Sequence, residues 1–281
     1  MRRTTAGFRR MLAVAGYEWQ IVLRSRWLAA FAALFAVLGA LLFYWNHALF
    51  RHGTAQGLTR QSLLLVNMLL QLVPLMGLLL SSLALSGERN DGMIRLLRTY
   101  PLTHRQYVGG TFCGLVLALL CAVAAGTAVV YFGGALLGWR GGAQAVGMLL
   151  LTSVPLLGAF AAIGVWLGSW VKSRLQAVAG SLLLWFFSVY LYGMLVMAVL
   201  PALPRLVQEP VLAGLLMLNP VEAVRVATVF WQGQGYVYGP AFYYWERAVR
   251  TPGGVVGGMV LLMLYVLLPL LRAARLLRKG T

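Results

Sequence analysis

The stretch SGERNDGMIRLLRTYPLTHRQY, residues 86–107, stands between two long apolar runs and decides how the rest of the chain is read. It carries Glu88, Arg89, Asp91, Arg95, Arg98 and Arg105, whereas its neighbours 62–86 and 108–137 hold no charge. An apolar set, Met93, Ile94, Leu96 and Leu97, is mixed with these charges. Gly92 loosens the end of the preceding run, and 93–99 is long enough for about two helical turns. Tyr100 precedes Pro101 and is pushed toward an extended conformation, which ends that helix. Thr103 followed by Gln106 matches a capping box and predicts the next helix start. A solvated hairpin is the plainer alternative. The order of charge, breaker and cap favours a short docking helix that another protein grips.

Working outward, the chain of 281 residues is 61% hydrophobic and 10% charged, far from the usual quarter charged of a soluble domain. Mean hydropathy is +0.82. Six runs lack a charge: 27–45, 62–86, 108–137, 143–170, 177–200 and 255–271. About 20 helical residues cross a hydrocarbon core, and backbone in lipid must satisfy its own hydrogen bonds. The expected fold is an all-α integral membrane protein with six transmembrane helices, read as one domain over 1–281. No internal repeat or low-complexity linker divides it.

Sixteen of the 23 Lys and Arg residues fall before run 1, between runs 2 and 3, between runs 4 and 5, and after run 6. The positive-inside bias therefore places both termini in the cytoplasm. It makes 201–254 an extracytoplasmic cap. The net charge of +17 reads as topology and attraction to anionic lipid; no nucleic-acid motif accompanies it. Phe8, Met11, Leu12, Ala15, Trp19 and Val22 recur at spacings of three and four, flanked by Arg9, Arg10, Glu18 and Arg24. That pattern predicts an amphipathic elbow helix over 8–24 in the cytoplasmic interface, feeding span 1, rather than a cleavable signal.

Catalytic chemistry has little to draw on. His47, His52 and His104 are scattered, no acidic residue lies inside a span, and no G-x-x-x-x-G-K-[ST] loop occurs. Neither a metal site nor a cofactor on this chain is expected. Cys113 and Cys121, eight residues apart on one helix, are too distant for a disulfide, and copper handling by them and the methionines lacks a Cys-x-x-Cys pair. Energy, if used, arrives from another chain.

GERNDGMIRLLRTYPLTHRQYVGG, residues 87–110, resembles the segment that ABC-2 type permeases place between spans 2 and 3, and residues 16–37 resemble that family's elbow and span 1. Where the family usually has Glu-x-Glu, this chain has Glu88-Arg89-Asn90-Asp91. The resemblance implies that Glu88, Arg89, Asp91, Met93, Ile94, Arg95, Leu97, Arg98, Tyr100 and Pro101 contact a separate cytoplasmic ATPase. Two ATPase copies would hold ATP and Mg and drive two permease copies. Lys172 and Arg174, in the short loop 171–176, would be a secondary contact. LNPVEAVRVATVFWQGQGYVYGP, residues 218–240, resembles the Nos-type branch, which helps mature the copper centre of nitrous oxide reductase. By that resemblance, Asn219, Pro220, Glu222 and Arg225 would face an extracytoplasmic maturation protein; a cap without a ligand is the alternative. Physically, Asn219-Pro220-Val221-Glu222 is a helix start with Asn as N-cap, and Glu222 and Arg225 form an i,i+3 pair.

The translocation path requires polar groups in the spans. Asn67 and Gln71 lie one turn apart in span 2, ahead of Pro74; Ser181, Trp185, Ser188 and Tyr192 make one stripe in span 5. Interhelical bonding and path lining both remain open for them. Gly110/Gly114, Gly134/Gly138, Gly164/Gly168 and Gly253/Gly257 permit close helix packing without identifying a dimer face. Export of a drug, lipid or peptide, and a non-transporting scaffold for a maturation factor, are the alternatives to a copper-enzyme role. The cargo has no sequence signature.

Overall fold

In a computed structural model, the protein is described over residues 2–49, 55–90, 102–136, 142–231 and 251–279, with Trp245, Arg247 and Val249. Helix runs through almost all of these, and no strand occurs among them. The elbow is α1 (Arg2–Leu23). The runs expected as spans 1 to 4 form α2 (Arg26–Leu49), α3 (Ala55–Asn90), α4 (His104–Leu136) and α5 (Gly142–Trp170), and the span numbers are kept as labels. Span 5 runs from α6 (Arg174–Phe186) through a π turn (Phe187–Leu191), α7 (Tyr192–Val199) and a 3-10 turn (Leu200–Ala202). Two shorter helices, α8 (Arg205–Leu218) and α9 (Pro220–Trp231), precede α10 (Pro252–Lys279), the sixth run.

Five helices are long and apolar enough to cross a membrane, or up to seven if each of two bent pairs counts as one span. One bent pair is α1 with α2, at 63°; the other is α8 with α9, at 114°. The expected cap over 201–254 thus contains two apolar helices folded into a sharp hairpin. Their length and composition also suit a re-entrant element. The bend falls at Asn219-Pro220, where proline cannot continue the helix ladder of α8.

The core is built by α3 and α5, with Leu69, Leu78, Leu85, Leu156, Leu157 and Phe160 almost wholly buried. Small residues bring backbones together. A Cβ at Gly168 would lie 2.7 Å from the Ser82 carbonyl oxygen, and one at Gly164 2.9 Å from that of Leu78. Gly110 and Gly114 do the same for the elbow: a Cβ at Gly114 would lie 2.5 Å from the Ala15 carbonyl oxygen. Two of the four glycine pairs are therefore used inside the chain.

The elbow departs from its expected face. Ala15, Glu18 and Val22 are buried against α4, whereas Phe8 and Leu12 are exposed. Glu18, expected on a solvated flank, is 2% exposed. The reason is steric: Gly110 and Gly114 admit only a closely set backbone, and the face that fits them contains position 18. Residues 91–101, where the docking helix is expected, lie outside the described residues, as do Gly134 and Gly138 in their side chains or backbone.

Gly168→Val should destabilise the α3–α5 contact by about 1–3 kcal/mol through overpacking, read as a lower melting temperature in detergent. Gly257→Ala, which meets nothing within 4 Å, should leave it unchanged.

Candidate functional site

Three polar clusters interrupt the apolar bundle, one at each end and one midway. At the first end, Thr103 and Gln106 close the expected capping box reciprocally: Gln106 N donates to Thr103 Oγ1 at 3.3 Å, and Thr103 N to Gln106 Oε1 at 3.1 Å. The first turn of α4 is thereby fixed immediately after 91–101. Tyr107 follows, and its hydroxyl donates to Glu88 Oε2 at the end of α3. Glu18 and Thr111 adjoin this bond. Burial, and then the neighbouring Glu88, push the Glu18 carboxyl up to about 9. The loop 171–176 reaches the same place. Ser173 caps α6 by accepting from Gln176 N at 3.2 Å, and the Arg174 guanidinium lies against Gly87. Glu88 and Arg174, expected as primary and secondary contacts, therefore stand close together. Lys172 is exposed nearby, and its amide donates to Gln176 Oε1 at 2.9 Å. Of the primary set, Glu88 alone has a described side chain; Arg89 has its backbone in α3, and Asp91, Met93, Ile94, Arg95, Leu97, Arg98, Tyr100 and Pro101 lie outside the described residues.

Midway, span 5 is pinned to span 2. Ser82 and Ser181 hydroxyls bond at 2.8 Å, Ser181 Oγ also donates to Leu78 O at 3.3 Å, and Trp185 Nε1 donates to Gln71 O at 2.8 Å. Such pairings satisfy polar atoms where lipid offers no partner. Ser181 is fully buried. Asn67, by contrast, is exposed on α3, and Gln71 is half-buried with its carbonyl engaged.

At the far end, the Ser188 carbonyl oxygen lies within the π turn, and Asn219 Nδ2 donates to it at 2.6 Å. The same asparagine caps α9 through Val221 N to Oδ1 at 3.0 Å, as its sequence predicts. Tyr192 OH donates to Leu215 O at 2.5 Å, and Tyr265 OH from α10 donates to Met217 O. The last turn of α8 is thus held by both neighbouring spans. The expected i,i+3 pair is present, Arg225 Nη1 to Glu222 Oε1 at 3.1 Å. Asn219, Pro220 and Glu222, however, are buried inside the chain rather than turned outward. Capping and the α9 packing face claim them, and Arg225 is the member of the set that stays partly accessible.

The polar stripe of span 5 consequently ties the chain together at each of its four positions. Ser82, Tyr107 and Tyr265 complete these clusters and had no sequence signal: Ser82 is one of two adjacent serines in an apolar run, Tyr107 closes the charged 86–107 stretch, and Tyr265 stands in an apolar run. Glu18 had one: a lone carboxylate between Ala15 and Val22 at helical spacing.

Asn219→Ala should lower stability by about 1–3 kcal/mol, since a cap and a bond to Ser188 are lost together. Asn67→Leu should leave the melting temperature unchanged.

A family profile described as "ABC-2 family transporter protein" matches residues 12–277. Similar proteins include the "Probable ABC transporter permease protein NosY" of Pseudomonas aeruginosa, 34% identical over 110 residues, 38% of this chain and 40% of that one. The protein of the same name from Stutzerimonas stutzeri is 34% identical over 119 residues, 42% of this chain and 43% of that one. These matches span less than half the length of either relative. The family match, nearly end to end, agrees with the elbow, the charged 86–107 segment and the apolar helices: the chain belongs to the ABC-2 family of transporter membrane proteins.

Proposed function

We propose that this chain is the permease subunit of an ATP-binding cassette transporter, with six spans, both termini in the cytoplasm of an inner (plasma) membrane, and no nucleotide chemistry of its own. Two copies form the path, and two copies of a cytoplasmic ATPase push on 88–101. The family match from 12 to 277 carries this reading. The described geometry supports it. Glu88, Tyr107 and the Thr103–Gln106 box anchor both ends of 91–101 to rigid helices, so a push there is delivered to spans 2 and 3. Span 2 carries it to span 5 through Ser82, Ser181 and Trp185. Asn67 and Gln71 supply polar groups on the uncovered side of span 2, suited to a path between copies. Spans 5 and 6 leave apolar faces bare, Leu183 at 72% and Met263 at 62% exposed, for lipid and the second copy.

The Nos-type similarity of the relatives supports a narrower reading: export of a substrate used in maturing an extracytoplasmic copper enzyme. In that reading Arg225, with Asn219, Pro220 and Glu222 shaping the helix behind it, meets an outer maturation protein.

Charge reversal at Arg95 and Arg98 should abolish co-purification with the ATPase while leaving the permease folded. Undiminished co-purification would reject the grip. Asn67→Leu should slow ATP-driven transport without changing ATPase association, and an unaltered transport rate would remove Asn67 from the path.

A further inference from the structure

The last helix carries arginines on the same face as its bare leucines. Along α10, Leu264, Leu267, Leu268 and Leu271 are exposed, whereas Ala273, Ala274 and Leu277 are buried in the bundle. Arg272 follows Leu268, and Arg275 follows Leu271, by four residues, so each stands beside a bare leucine on the helix surface. Both arginines are exposed. Neither has an ion-pair or hydrogen-bond partner among the described residues, and α10 itself contains no acidic residue.

α10 is one of the five helices long and apolar enough to cross a membrane. Its chargeless run, 255–271, extends about 26 Å as a helix, close to the hydrocarbon thickness of about 30 Å. Arg272 therefore stands at the edge of the hydrocarbon, and Arg275 about one turn beyond it, at the depth of lipid phosphates. An arginine that only solubilised the end of a helix could occupy any face. These two occupy the face that meets lipid, where a guanidinium gives up water and needs an anion in its place. Its planar fork suits two phosphate oxygens at once, and its stem can lie along the leucines while the charge reaches the headgroups. A second copy of the chain suits this face less well. A two-fold contact sets the same patch against itself, so the arginines would meet arginines at the same depth.

We propose that the exposed face of α10 at Arg272 and Arg275 binds an anionic phospholipid. The two guanidiniums hold the headgroup phosphate, and Leu267, Leu268 and Leu271 carry an acyl chain. The site requires only that α10 crosses a bilayer. It is independent of the cargo, of any ATPase and of the leaflet in which the arginines lie. A zwitterionic lipid offers the same phosphate, but its own cation competes with the arginines.

The test is thermal unfolding of the purified full chain in a nonionic detergent, titrated with phosphatidylglycerol, phosphatidylcholine or inorganic phosphate. Phosphatidylglycerol should raise the melting temperature at concentrations where the other two have no effect. Arg272→Gln/Arg275→Gln should need about tenfold more phosphatidylglycerol for the same rise. Arg24→Gln/Arg26→Gln, which removes two exposed cations at the elbow, should respond as the wild type does. Equal response to the two lipids, an unshifted titration in the α10 variant, or the same loss in the elbow variant would overturn the site. A rise produced by inorganic phosphate would replace the lipid by a soluble anion, and a changed oligomer mass in the α10 variant would give the face to a second copy; either overturns it. If the α10 variant does not fold, native mass spectrometry of the wild type from an equal mixture of the two lipids decides. Preferential retention of phosphatidylglycerol supports the site, and retention without preference contradicts it.

Discussion

A polar atom inside a bilayer must find its partner within the protein, and that constraint organises this fold. Apolar side chains alone give spans no preferred neighbour, because lipid tails are equally apolar. Close approach at glycine and a few hydrogen bonds therefore determine which helices meet. Gly164 and Gly168 let α5 lie against the carbonyls of α3. Ser82–Ser181 and Trp185–Gln71 then fasten span 5 to the same helix. Span 2 is consequently the central member, in contact with span 1, span 4 and span 5 at once.

The two bent pairs extend this scheme to the ends. At one, the elbow lies on α4 through Gly110 and Gly114, bringing Glu18 against Glu88. At the other, the 114° turn between α8 and α9 is held by Asn219 on the π turn and by Tyr192 and Tyr265 on the last carbonyls of α8. The Ser188 carbonyl that Asn219 uses lies within this π turn, where the regular ladder is interrupted. Span 5 is the element that touches both the middle seam and the far hairpin, so displacement of span 2 has a direct route to the far end.

Much of this was legible in the chain. Runs without charge located the long helices to within several residues, and capping chemistry located two starts, at Thr103 and at Asn219, with their hydrogen bonds. The Glu222–Arg225 pair followed from helical spacing. Partners were not legible. Serine and tyrosine in an apolar run look alike whether they line a path or fasten a neighbour, and only three dimensions assign Ser181, Trp185 and Tyr192 to fastening. The same limit applied to the Asn219 region, which the family resemblance assigned to an outer partner while its cap turns the residues inward. Glu18 was read by hydrophobic spacing as a flank; the small residues of α4 decided otherwise.

The functional account rests on the segment between spans 2 and 3 lying in the cytoplasm. Substituted-cysteine labelling tests this directly: Cys113 and Cys121 are replaced by serine, one cysteine is placed at Thr99, and a membrane-impermeant maleimide is applied to intact cells and to inverted vesicles. Labelling in inverted vesicles with none in intact cells is the predicted result. Labelling of intact cells would place the segment outside and contradict the account.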